Sequence, residues 1–170
     1  MIETLLLGPA NVVIPTTTIL IVIAGMFVLA GLDVWRYEVE DVGIVALLLV
    51  GVAGLTQEGI LPTQWVSGLL AAAVAFLVYL NLGMRGAVGG GDVKLAVVPA
   101  FVLGAANPIV AIWWVACSLL LHQLLIVAAR RFTARPATSG GAKAAPIALP
   151  HVPAMAVSMY VASSLFVLAA

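Results

Sequence analysis

The sequence predicts an all-α membrane protein, a bundle of six transmembrane helices of which two are short. Three observations carry this expectation. Of the 170 residues, 64% are hydrophobic and only 8% are charged, where a soluble domain averages about 25% charged residues. A chain this short cannot hide so much apolar surface in its own core, so the surface itself faces lipid. The apolar stretches are also continuous, whereas strands of a membrane barrel alternate apolar and polar residues over about ten positions.

The six segments follow in order. The first runs from Pro15 to Leu32 and contains Ile19-Leu20-Ile21-Val22-Ile23. The second runs from Val42 to Leu55, the third from Trp65 to Gly83 and the fourth from Val93 to Gly104. The fifth runs from Pro108 to Ala129 and the sixth from Val152 to Ala170. A spanning helix needs roughly 20 residues, so the second and fourth are the short ones. Pro99 is expected to kink or open the fourth, because proline removes a backbone donor inside a helix. Gly25, Gly31, Gly51, Gly54 and the Ala71-Ala72-Ala73 run suit close helix packing in lipid. Trp113 and Trp114 fall inside the fifth segment and are expected to pack rather than anchor the interface.

The seven Lys and Arg residues fall on one side of a six-helix layout. Arg36 lies between segments one and two. Arg85 and Lys94 lie between three and four, and Arg130, Arg131, Arg135 and Lys143 between five and six. The positive-inside rule makes that side cytoplasmic and puts both termini outside. The whole chain, 1–170, reads as one domain, with a mobile cytoplasmic loop at 130–150 rich in Ala, Thr, Ser, Gly and Pro. Before Asp33 the only charged side chain is Glu3, so no basic n-region precedes the first segment and no cleavable signal is expected. Zero formal net charge gives no nucleic-acid footprint. The single cysteine, Cys117, excludes an internal disulfide and a cysteine-based zinc site; it is expected to be inert packing.

The chemistry concentrates in Gly89-Gly90-Gly91-Asp92-Val93-Lys94-Leu95. A carboxylate at the mouth of a membrane helix costs roughly 2.5–3.5 kcal/mol in lipid, and such a residue is functional by default. The first helix runs inward and ends at Asp33; the fourth starts from the same side at Asp92. Two carboxylates thus meet at one membrane level, where water and protein both reach them. Close carboxylates share a proton, which is the arrangement an aspartic protease uses on water. That reaction needs no metal and no organic cofactor. Asp41, eight residues beyond Asp33, is an alternative first carboxylate. Asp92 can also be a helix N-cap, Asp33 can pair with Arg36, and Asp41 can cap the second helix.

The motif resembles the GxGD signature of intramembrane-type aspartic proteases, and Asp92-Val93-Lys94-Leu95 is similar to the GxGDxKL form of prepilin peptidases (type IV leader peptidases) and their preflagellin peptidase relatives. In that family the first aspartate is trailed by an Ile-Pro-Asn-like element six residues on. Here Asp33-Val34-Trp35-Arg36-Tyr37-Glu38-Val39 has that spacing, with Glu40 and Asp41 where the family has Pro and Asn. The motif resemblance covers 33–41 and 86–95. It implies a membrane aspartic endopeptidase that removes the short basic leader from prepilin or preflagellin-like precursors at the cytoplasmic face. It implies Asp33 and Asp92 as the catalytic pair. The many-cysteine domain of the larger bacterial enzymes is absent, and their methyltransferase activity is not expected here.

Gly89, Gly90 and Gly91 are expected to give room for an extended substrate backbone. Lys94 is a candidate substrate-binding residue that can also reach the headgroups or orient the Asp92 region, and Glu38, a second such candidate, is expected with Glu40 to form an acidic rim that attracts a basic leader. Pro153, in Pro150-His151-Val152-Pro153, is a candidate active-site wall. His122 is expected to be a neutral, hydrogen-bonded packing residue, His151 an interfacial loop residue, and Glu58 a solvated loop charge. The expected partners are a protein substrate and the bilayer. The alternative reading is a non-catalytic membrane subunit or small proton- or ion-coupled transporter using the same aspartates; their placement near one face argues against it. A presenilin-like protease cutting within the bilayer is a second alternative, disfavoured by Lys94-Leu95 and the short chain.

Overall fold

The computed structural model describes residues 15–36, 40–133 and 150–169. These form α1 (Thr16–Arg36), α2 (Asp41–Gln57), α3 (Pro62–Met84), α4 (Gly90–Leu95), α5 (Val97–Ala106), α6 (Pro108–Thr133) and α7 (Val152–Ala169). There is no strand among them. Since α4 and α5 follow one another across Ala96, the described residues form a bundle of six members, and the protein is an all-α membrane protein. Thr16–Trp35, Pro62–Met84 and Pro108–Ala129 are long and apolar enough to cross a bilayer; Asp41–Gln57 and Val152–Leu165 are shorter apolar helices.

Local chemistry explains most of the boundaries. Pro62 and Pro108 occupy first helical positions, where the missing N–H costs nothing. Gln64 Oε1 reaches back to accept the Leu61 N–H at 3.0 Å, and Asn107 Oδ1 accepts the Ile109 N–H at 2.9 Å. Helix α3 ends where Gly86 turns left-handed at φ +71°, a conformation glycine adopts without penalty. The break at Ala96 has its cause three residues on. Pro99 has no N–H to offer the Leu95 carbonyl and its ring crowds that turn, so the fourth segment opens locally, as expected, while Ala96 keeps helical φ −57° and ψ −25° between α4 and α5.

Helix α5 is the centre. Every residue from Val98 to Ala106 is buried, as expected of a helix apolar on all sides. Its most extensive neighbour is α3, and α6, α2 and α1 also pack on it. At the α3–α5 crossing the backbones nearly touch. A Cβ on Gly104 would lie 2.3 Å from the Ala71 Cβ, and one on Gly68 would lie 2.8 Å from the Phe101 carbonyl oxygen. Ser67 Oγ donates to the Gly104 carbonyl at 2.7 Å and Gln64 Nε2 to the Ala105 carbonyl at 3.0 Å. Such close packing and interhelical hydrogen bonding take the place of the hydrophobic effect between helices in lipid.

Antiparallel alternation follows from contacts at both ends. At one end the Thr18 N–H, in the first turn of α1, donates to Glu58 Oε1 at 3.0 Å. Glu58 is therefore no solvated loop charge. It closes a helix start that lacks an acidic residue of its own. At the other end lie the C-terminus of α1 and the N-termini of α2, α4 and α7. Outward faces carry Leu20, Leu69, Leu77, Ile112 and Leu120, all well exposed. The two tryptophans divide: Trp114 is fully buried, while Trp113 is 63% exposed on the lipid face.

Candidate active site

Asp92 sits in the first turn of α4, three residues after Gly89, the residue that precedes that helix. Its carboxylate folds back, and Oδ2 accepts the Gly89 N–H at 2.9 Å. This is the return half of a capping box, so Asp92 serves its helix from inside the first turn rather than from the cap position. A Cβ at residue 89 would lie 3.2 Å from that oxygen, and glycine keeps the approach open. Asp92 is only 9% exposed.

Asp33 lies in the last turn of α1, also buried at 6% exposure. The carbonyl end of a helix is a poor place for an anion. The compensation comes from another element: Val152, the first residue of α7, donates its N–H to Asp33 Oδ2 at 3.2 Å. Each carboxylate thus receives one amide from the start of a helix, Asp92 from its own and Asp33 from a helix more than a hundred residues away.

The two carboxylates interact. Burial is the main cause that pushes the Asp92 pKa up to about 6; the Gly89 N–H opposes the rise and the charge of Asp33 adds to it. Desolvation and a like charge both disfavour the second anion. Asp41 has a different setting. At the start of α2, and 67% exposed, it holds Lys94 Nζ at 2.8 Å through both oxygens. Of the two candidates for the first carboxylate, Asp33 is the one within electrostatic reach of Asp92. Lys94 is committed to Asp41, at 56% exposure. Gly89 and Gly90 are exposed beside Asp92, Gly91 is half-buried, and nothing lies within 4 Å of the position of a Gly90 Cβ. Glu38 falls outside the described residues, as does 134–149 of the expected mobile loop.

Sequence reasoning missed a buried polar cluster behind Asp33. His151, expected at the interface, is 2% exposed, and its Nε2 lies 3.2 Å from the Tyr79 hydroxyl. That hydroxyl also bonds Ser118 Oγ at 2.5 Å. His122 stands edge-on to His151, ring centroids 4.2 Å apart. It is buried as expected, but among the described residues its Nδ1 has no hydrogen-bond partner. Burial, with a smaller contribution from His122, pushes the His151 pKa down to about 3. From Pro150-His151-Val152-Pro153 the aspartate receives a backbone N–H, which side-chain identity alone does not reveal. Tyr79 could have been suspected as a hydroxyl inside the apolar run 69–80 of α3. Among the described residues, no three His, Cys, Asp or Glu side chains gather as a metal site.

No curated protein and no solved structure matches the chain. The family model of the type IV leader peptidases matches residues 20–128, a span that includes Asp33, Tyr79, Asp92 and His122 and stops short of His151. Through that match over most of its length, the chain belongs to the type IV leader peptidase family.

Proposed function

We propose that this protein is an aspartic endopeptidase of the cytoplasmic membrane that removes the short basic leader from type IV prepilin or preflagellin-like precursors, with Asp33 and Asp92 as its working pair. The observation that carries this reading is a pair of buried carboxylates at one end of the bundle, Asp33 and Asp92, each accepting one amide N–H from the start of a helix. Membership of a peptidase family supports a protein substrate.

The chemistry then follows from the two environments. Asp92 is the carboxyl that holds the shared proton, and Asp33, with the Val152 N–H on Oδ2, is the ionised partner. Asp33 takes a proton from water as the water oxygen attacks the scissile carbonyl carbon. Asp92 gives its proton to the carbonyl oxygen, forming a tetrahedral diol. As the C–N bond breaks, the proton on Asp33 passes to the leaving amine and Asp92 recovers one from the diol. The pair titrates as a unit, so its activity reports apparent values of the pair.

Gly89, Gly90 and Gly91 border Asp92 and leave room for an extended backbone. Glu40 is exposed nearby, and with Glu38 it would attract a basic leader. Lys94, in the last turn of α4, ties that helix to the start of α2 through Asp41. Arg36, Arg85, Arg130 and Arg131 belong to the same end of the bundle, which supports a cytoplasmic active site with both termini outside. The whole chain would then act as one peptidase domain, using no cofactor.

The test is cleavage of a prepilin carrying a basic leader, read as a gel shift, by wild type, Asp33→Asn and Asp92→Asn in membranes. Both substitutions should abolish cleavage while leaving the thermal transition cooperative. Full activity in either variant would refute the pair. If the wild type cuts no pilin or flagellin precursor, the transport reading of the same aspartates gains ground.

A further inference from the structure

The polar cluster behind Asp33 has a direction. Ser118 has one hydroxyl proton, and Oγ lies 2.9 Å from the Val115 carbonyl, which can only accept. With that proton committed, Ser118 Oγ accepts from the Tyr79 hydroxyl at 2.5 Å. Tyr79 then has no proton left for His151. The 3.2 Å contact between its oxygen and His151 Nε2 is a bond only if the imidazole donates. Burial keeps that ring neutral, and a neutral imidazole has one N–H. It sits on Nε2, which leaves Nδ1 bare, in agreement with an Nδ1 that has no partner among the described residues. The donor chain therefore runs from His151 to Tyr79, then to Ser118 and the α6 backbone.

This chain is anchored at both ends. The Tyr79 ring stacks on buried Trp114 at a centroid distance of 6.4 Å and 14° between planes. Trp114 Nε1 in turn donates to the Met155 carbonyl at 3.1 Å, one turn into α7. His151 is the residue before Val152, whose N–H holds Asp33. A shift of the His151 ring therefore moves the Asp33 donor by way of a single peptide unit.

We infer that Tyr79 and His151 are positioning residues. Through the Nε2–H tautomer, the Tyr79 hydroxyl fixes the turn ahead of α7 and so sets where the Val152 N–H holds the Asp33 carboxylate. The inference rests on the reading of Asp33 and Asp92 as the working pair. Neither Tyr79 nor His151 needs to touch substrate. Their effect is on the rate of the bound complex, not on how tightly the leader binds.

The test compares wild type with Tyr79→Phe, which deletes one oxygen and keeps the ring on Trp114. Leader cleavage gives kcat and KM, and ¹⁵N spectra of histidine-labelled protein give the tautomer. With two histidines in the chain, the His122→Gln spectrum assigns the other. Wild type should show His151 protonated on Nε2. Tyr79→Phe should lose that preference and lower kcat by about tenfold or more, as a misplacement of a fraction of an ångström can, with KM within about twofold. A wild-type His151 protonated on Nδ1 would overturn the inference, as would an unchanged kcat in Tyr79→Phe. Should Tyr79→Phe not fold, His151→Gln, which retains an N–H donor, is compared with His151→Leu, which has none. Glutamine should keep most of kcat and leucine should not; equal losses would refute the role. An active Asp33→Asn would strike the working pair instead, and the tautomer spectrum reads the donor chain independently of that result.

Discussion

Gly104→Ala adds one methyl group at the tightest point of the bundle and should disturb both stability and catalysis. The new Cβ would lie 2.3 Å from the Ala71 Cβ, 3.2 Å from the Ser67 carbonyl oxygen and 3.3 Å from the Gly68 Cα. Ordinary contact begins near 3.4 Å, so α3 and α5 must part by about 1 Å. None of the three atoms is the end of a flexible side chain, and the helices move as units. Overpacking of this kind costs about 1–3 kcal/mol. Parting also lengthens the hydrogen bonds from Ser67 and Gln64 to the Gly104 and Ala105 carbonyls, now 2.7 Å and 3.0 Å. Because α5 continues α4, the displacement reaches Asp92, where an error of about 1 Å can lower the rate on the order of 100-fold. Thermal unfolding in detergent and leader cleavage by the same preparation measure the two effects. Ala71→Gly in the Gly104→Ala background removes the closest clash and should recover part of both, a coupling expected of residues in contact. The reasoning fails if Gly104→Ala melts within about 0.5 kcal/mol of wild type and cleaves at full rate, or if Ala71→Gly gives no recovery.

Other outcomes follow from the geometry at the two ends. The folded-state pKa of Asp92, about 6, lies above the unfolded 3.8, so the folded protein binds more protons between those values. Its stability should fall as pH rises from about 4 to about 6 and then level off, by on the order of 3 kcal/mol. Asp92→Asn should abolish that slope and melt higher than wild type at pH 7; an unchanged slope would place the titration elsewhere. The monoprotonated pair is lost as Asp92 ionises, so leader cleavage should decline as pH rises through about 6. Glu58→Ala removes the acceptor of the Thr18 N–H and should cost about 1 kcal/mol, with cleavage unaffected since it lies at the opposite end. Lys94→Ala breaks a pair whose partners are 56% and 67% exposed, and its melting should shift by less than about 1 kcal/mol in moderate salt.

Helix content, segment order and the two carboxylates were legible because they are local. Continuous apolar runs need no partner to be read, and Gly89-Gly90-Gly91-Asp92 carries its own backbone freedom and its own cap. The local opening at Ala96 was legible too, because Pro99 shows that a donor is missing inside an apolar run. The rest depended on contacts between distant residues. Glu58 is charged in a short loop, and only the position of the α1 start, forty residues earlier, makes it a cap. His151 reads as interfacial from its neighbours; it is buried because Tyr79 and His122 arrive from two other helices. Asp41 and Asp33 have similar sequence surroundings, and it is Lys94 that engages one of them. Asp33 stands out through a backbone amide, which every residue but proline possesses.

That amide has a consequence for how the protein tolerates change. An alanine scan across the turn would pass over position 152, because any apolar side chain that fits there keeps the N–H that holds Asp33. Proline alone among the coded residues deletes it. The chain has proline at 150 and at 153, on either side of the one place in this turn where proline would strip the aspartate of its donor. A region that looks permissive to side-chain substitution therefore contains a position whose constraint is written in the main chain. Val152→Pro, beside Pro153 and two residues after Pro150, is the substitution by which that constraint becomes visible.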